Sequence, residues 1–245
     1  MADEVLFDVS DDGVAVITLN RPGKLNIFNL AMRDALIEAI QAARDHPDAR
    51  SVLLRAAGPH FSAGADLSEF GTADHLLDAR RIRWDRDPWG LLWELPQPTV
   101  AALHGFVLGS GLEMTLLCDL RIAATDTTVG LPETRLAMLP AAGGTQSLTR
   151  AIGPATALPF IVTAQNVTAA QALRLGLIHA VVEDVEAEAL AWARRLATIP
   201  SHLAGATRRA LHAAGDLPLI EGLAVEKGLA RMHSVGAVTP DTATF

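Results

Sequence analysis

Two glutamates, Glu113 and Glu133, sit in the least charged and most glycine- and alanine-rich stretches of the chain. Those stretches are Leu108-Gly109-Ser110-Gly111-Leu112-Glu113-Met114 and Gly130-Leu131-Pro132-Glu133. A carboxylate in such surroundings is costly unless it is partnered or its pKa shifts. Two of them brought to one small molecule make a general acid and a general base. Two glycine-bearing loops, Ala63-Gly64-Ala65-Asp66 and Gly109-Ser110-Gly111, each follow a strand-like run and precede a helical one. Helix N-termini present free N–H groups and a partial positive charge. One N–H from each loop, aimed at a carbonyl oxygen, would form an oxyanion hole worth about 2.7–4 kcal/mol per donor. Singly, these features have plain structural explanations: an acid in a first helical turn, a turn after Pro132, glycines closing strand-to-helix turns. Their coincidence points to chemistry.

Other chemistries fail on the residues. A serine-nucleophile elbow would need glycine at 108 and 112, where leucines stand. A dinucleotide fingerprint starting at Gly109 breaks at Met114. There is no phosphate-binding P-loop, and eight scattered histidines with one cysteine offer no metal cluster. His104, at a strand end, reads as a satisfied histidine.

The elements that must position the glutamates follow from pattern. Val5 to Val9 and Val14 to Leu19 flank the turn Asp11-Asp12-Gly13 as a hairpin. Asn29 caps a helix running to about Arg44, ended by Pro47. Ser51 to Leu54 and Thr99 to His104 are buried-type strands, each leading into one glycine loop. Leu112 to Leu117 reads as a short buried helix, Leu120 to Ala123 as a strand, and Val129-Gly130-Leu131 as a short extended piece. Residues 72 to 94 are charged, interrupted at Pro88, and carry Trp84, Trp89 and Trp93, so they form a surface or ligand-covering helical segment. From Gly143 onward the pattern is helical, with one more strand at Ile178 to Val182. The recurring unit of strand, glycine loop and helix gives one α/β core with a helical C-terminal section.

With 245 residues, half of them apolar, the core is ample. No apolar run approaches the ~20 residues of a membrane span, and the acidic N-terminus lacks a signal segment. A single cysteine, Cys118, points to a reducing cytoplasm. The sequon Asn166-Val167-Thr168 carries no meaning there. A net charge of −8 argues against nucleic acid or an anionic membrane as partner. Lysine appears only as Lys24 and Lys227 among many arginines, the composition of a GC-rich bacterial genome.

Several motifs in order now carry a family resemblance. Leu19-Asn20-Arg21-Pro22 with Lys24-Leu25-Asn26 resembles the entry motif of the crotonase superfamily, the enoyl-CoA hydratase/isomerase family. Phe61 to Leu67 is similar to its first oxyanion loop. His104 to Glu113, followed by Cys118-Asp119-Leu120-Arg121-Ile122-Ala123, is similar to its second. Leu131-Pro132-Glu133, Pro140 to Gln146 and Ala172 to Leu177 complete a resemblance spanning roughly residues 5 to 235. It implies a spiral of strand–strand–helix repeats over residues 1–185. A helical C-terminal section, 186–245, would form a homotrimer or a dimer of trimers.

The resemblance also implies an acyl-CoA thioester as substrate and no separate cofactor, coenzyme A being part of that substrate. The oxyanion donors would be the backbone N–H groups of Ala65 and Ser110. Ala63, Asp66 and Leu67 would line the adenine site, Lys24 and Leu25 would contact CoA, and Arg21 and Lys24 would supply charge for phosphates. Glutamate at both 113 and 133 matches the hydratases, with Glu113 handling water and Glu133 delivering a proton to C2. Ser110 replaces the usual middle glycine, and would be strained if that position required positive φ. The family's further helix and basic tail have no counterpart before Phe245, so the adenine site and acyl pocket would close differently. A Δ3,Δ2-enoyl-CoA isomerase using Glu133 alone is the same-fold alternative. A non-catalytic acyl-CoA-binding protein is the alternative from another class.

Overall fold

A computed structural model describes residues 3–72, 75 and 86–234. Trp84, much of the expected 72–94 segment and residues 235–245 of the expected C-terminal section lie outside the described residues.

Strands β1 (Val5–Val9) and β2 (Val14–Leu19) form the expected antiparallel hairpin. The first crossover helix, α1 (Leu30–Asp45), begins where Asn29 accepts a hydrogen bond from Met32 N–H at 2.8 Å. That contact satisfies one of the donors a helix start leaves open. Met32, Leu36, Ile40 and Ala43 recur at helical spacing and are buried, which lays α1 on the sheet. Strands β3 (Ser51–Ala56), β4 (Thr99–Leu103), β6 (Leu120–Ala124) and β9 (Ala180–Val182) then extend the hairpin in parallel. The order across this six-stranded sheet is β1-β2-β3-β4-β6-β9. β4 is buried at every residue, as befits a central strand covered on both faces.

A second, three-stranded sheet of order β5-β7-β8 stands beside it, made of β5 (Phe106–Leu108), β7 (Thr128–Gly130) and β8 (Val167–Thr168). The turns through β4–β5 and β6–β7 each lay one strand in the large sheet and one in the small, the unit of the strand–strand–helix spiral. α2 (Pro88–Glu94) precedes β4, and α3 (Ser110–Thr115) follows β5. α4 (Gly144–Ile152), α5 (Pro154–Thr163) and α6 (Ala169–Leu175) complete the spiral. The sequon residues Val167 and Thr168 are β8 itself, and Thr168 caps α6.

The expected division at residue 185 falls at the first residue of α7 (Val185–Ala197). This helix packs Val185, Ala189, Ala193 and Ala197 against Leu53, Val100, Ala102 and Ile122 on the outer face of the large sheet. α8 (Ser201–Asp216) and α9 (Leu219–Ser234) pack on each other beyond it. α8 is moored by Arg208, which donates to both Asp119 oxygens at 2.9 and 2.8 Å and to the Leu95 carbonyl. Among the described residues no helix is long and apolar enough to cross a membrane.

Candidate active site

The loop after β3 is built before it meets any ligand. Asn26, fully buried, accepts from Arg21 N–H and donates to the Ala57 and His60 carbonyls. Ser62 donates to the Asn26 carbonyl, and the Ala63 N–H bonds the Leu25 carbonyl. Gly64 and Asp66 are zipped to Phe28 through bonds of 2.8 and 2.9 Å, with Ala65 between them. The second loop is laid directly on the first. Ser62 pairs with Val107, and a Cβ on Gly111 would lie 2.7 Å from the Ser62 Cβ. The Ser62 hydroxyl and backbone therefore require glycine at 111.

Between these loops, the Ala65 and Ser110 N–H groups have no hydrogen-bond acceptor among the described residues. Ser110 is the first residue of α3, where an N–H has no intrahelical partner. The positive φ of this turn falls on Gly109 at 52°, and Ser110 lies outside the left-handed region. The serine is unstrained for that reason.

Both glutamates reach the cavity that the two loops open onto. Glu113, in the first turn of α3 and 2% exposed, accepts at Oε1 from the Ala142 and Gly144 N–H groups at 2.8 and 2.9 Å. A Cβ on Gly144 would lie 2.8 Å from that oxygen, so glycine there admits the carboxylate. Glu133 opens a short 3-10 turn, Glu133–Leu136, after Pro132. Its neighbour Thr134 ties the turn to the end of α5 by donating to the Ile161 carbonyl at 2.9 Å. Glu133 Oε2 is buried without a hydrogen-bond partner among the described residues. Burial accordingly pushes its carboxyl pKa up, only partly opposed by a backbone hydrogen bond.

The cavity has a volume of about 1310 Å³ and is lined by Ala65, Ser110, Glu113 and Glu133, and also by Ala63, Asp66 and Leu67. Lys24 and Leu25 are exposed and lie off its described wall; Leu25 joins the site only through its carbonyl bond to Ala63. Arg21, expected to meet phosphates, is tied to Asp66 at 3.1 Å and faces Glu4 at 3.6 Å. Hydrogen bonds from Ser68, then from Arg21, hold the Asp66 carboxyl below the usual carboxylate range. His104 bonds the Gly58 carbonyl at 2.9 Å, the satisfied histidine expected. Cys118 lies on the cavity wall, but burial pushes its thiol up to about 12, which makes it unreactive.

Sequence reasoning missed the backbone donors of Glu113. The Gly143-Gly144 pair was the available signal, since a close backbone approach to a side chain calls for glycine. Trp89, on the segment expected to be a surface or ligand-covering one, lines the cavity beside Phe28.

The chain matches the enoyl-CoA hydratase/isomerase family over residues 10–235. It is 36% identical over 239 residues to "Probable enoyl-CoA hydratase echA8" of Mycobacterium tuberculosis, covering 97% of this chain and 91% of that one. The enoyl-CoA hydratase of Bacillus anthracis superposes with a TM-score of 0.87 at 33% identity, covering 93% of this chain and 90% of that one. That of Thermoplasma volcanium superposes at 0.89 and 27% identity, covering 96% and 94%. Fold and comparisons define the class as a crotonase-fold enzyme. The chain belongs to the enoyl-CoA hydratase/isomerase family.

Proposed function

We propose that this enzyme adds water reversibly across the C2–C3 double bond of a 2-enoyl-CoA thioester. The observation that carries the reading is one cavity holding two differently treated carboxylates beside two amides without acceptors. In this reading the thioester oxygen lies between the Ala65 and Ser110 N–H groups. They are open in the free protein and so ready for the charge that develops there. Glu113, its Oε1 fixed by two N–H donors, orients water and takes its proton as the oxygen bonds C3. Electrons of the double bond move toward the thioester oxygen, and Glu133 gives its proton to C2 as the carbonyl re-forms. A raised pKa suits Glu133 to that donation near neutral pH. Dehydration runs the same steps backward. No cofactor is needed beyond the coenzyme A that the substrate carries.

Ala63, Asp66 and Leu67 are the proposed adenine-side contacts, with Lys24 and Leu25 at the outer rim for CoA. Three copies, or two such trimers, associate through the C-terminal helices, where Leu211, Leu219, Ile220 and Met232 are each at least 67% exposed. The acidic net charge of −8 and the family membership support a cytoplasmic enzyme of fatty-acyl metabolism. Crotonyl-CoA and a 3-enoyl-CoA, offered separately, test the reaction. Loss of conjugated thioester absorbance from the first supports hydration. Gain of absorbance from the second, with none lost from the first, replaces it with isomerisation.

A further inference from the structure

We propose that the acyl group accepted here is apolar and longer than four carbons. It would lie between Trp89 and Trp93 on α2 and Leu116 and Leu117 after α3. This inference rests on the acyl-CoA reading of the site and gives it a substrate class.

Direction comes from α3. Its N-cap, Gly109, lies against Gly64, while Leu116 and Leu117 follow its last turn and also line the cavity. Seven residues at helical rise span about 10 Å. The side of Ala63, Asp66 and Leu67 is left for the nucleotide, so the acyl chain runs along α3 toward the leucines.

Trp89 and Trp93 stand four residues apart and therefore share a face of α2; both line the same cavity as the leucines. Neither ring is loose. Trp89 meets Phe28 edge-on at 4.8 Å between centroids, and Trp93 is stacked on His212 of α8 at 3.6 Å and 8°. Fixed indoles and leucines lining one cavity suit methylenes or a ring.

The charges on the described wall argue against an acyl chain ending in a carboxylate. Arg121 donates to the Leu177, Thr115 and Cys118 carbonyls. Arg150 is paired with Asp216 at 2.6 Å, while Arg33 and Arg86 both face Asp34. Each of these arginines already has acceptors.

The test uses saturated thioesters, which bind without turnover. Calorimetric titration with butyryl-, octanoyl- and glutaryl-CoA should show octanoyl-CoA bound at least about tenfold more tightly than butyryl-CoA. Each buried methylene is worth roughly fourfold. Glutaryl-CoA should bind no more tightly than butyryl-CoA. Trp93→Ala should remove most of the octanoyl advantage and Trp93→Phe should keep it; Leu117→Ala replaces the first variant if that protein does not fold. Equal affinity for butyryl- and octanoyl-CoA, or tightest binding of glutaryl-CoA, overturns the inference. Loss of binding to all three thioesters would instead overturn the acyl-CoA reading beneath it.

Discussion

At Glu133, burial favours the neutral acid, whereas Glu113 is held through Oε1 by two backbone N–H groups. In the proposed reaction this difference suits the two carboxyls to different tasks, a common arrangement for acid–base pairs. A raised folded-state pKa has a definite sign for stability. Between the unfolded value and the raised folded value, the folded state binds more protons. Stability therefore falls as pH rises through that window, and the cost is fully present above it. Glu133→Gln should raise the melting temperature at neutral pH, with the gain shrinking as pH falls through the raised folded value and gone below the ordinary glutamate range. A gain independent of pH would contradict the burial account. Gly109 gives a second test at this scale. Its φ of 52° and a Cβ position 2.8 Å from Glu133 Oε1 leave no room for a side chain. Gly109→Ala should lower kcat/KM by at least about tenfold by moving the proton donor, and stability by about 1 kcal/mol. Wild-type kinetics in that variant would show that the contact is dispensable.

Among the elements, the short turn carrying Glu133 holds strain of its own. Ala137 ends it in the left-handed region at φ 55°, where its N–H reaches the Glu133 and Thr134 carbonyls. A non-glycine residue there costs about 1–2 kcal/mol, partly offset because glycine makes the unfolded chain more flexible. Ala137→Gly should stabilise the fold by about 0.5–1 kcal/mol in denaturant unfolding. Destabilisation would mean that the alanine methyl makes packing contacts worth more than the strain.

Element by element, the sequence was legible where apolar periodicity is long. The hairpin, α1 with its Asn29 cap, β3, β4 and β6 stand within a residue or two of their expected limits. β5 and β8, of three and two residues, are too short to show a period, so the second sheet was invisible. Glu113 and Glu133 could be singled out because charge is conspicuous in apolar sequence. The donors to Glu113 could not, because backbone N–H groups 29 and 31 residues away leave no side-chain signature. The freedom of Ser110 from strain likewise leaves no sequence signature, because the positive φ falls one residue earlier, on Gly109.

For the whole molecule, the apolar residues left on α8 and α9 set the expectation for assembly. Leu219 and Ile220 are 79% and 76% exposed, and Leu211 and Met232 extend the surface. Exposed apolar residues of this kind fit the assembly proposed. Light scattering should return a trimer or hexamer, and Leu219→Glu with Ile220→Glu should shift it toward monomer. A monomeric wild-type protein would contradict the assembly proposed. The central claim, that two carboxylates share one hydration reaction, is tested most directly by the initial rate of absorbance loss with a 2-enoyl-CoA. Wild-type enzyme, Glu113→Gln and Glu133→Gln are compared at saturating substrate. Each variant should be slower by roughly 10²–10⁴-fold with its fold intact. A variant that hydrates at the wild-type rate would contradict the two-carboxylate account.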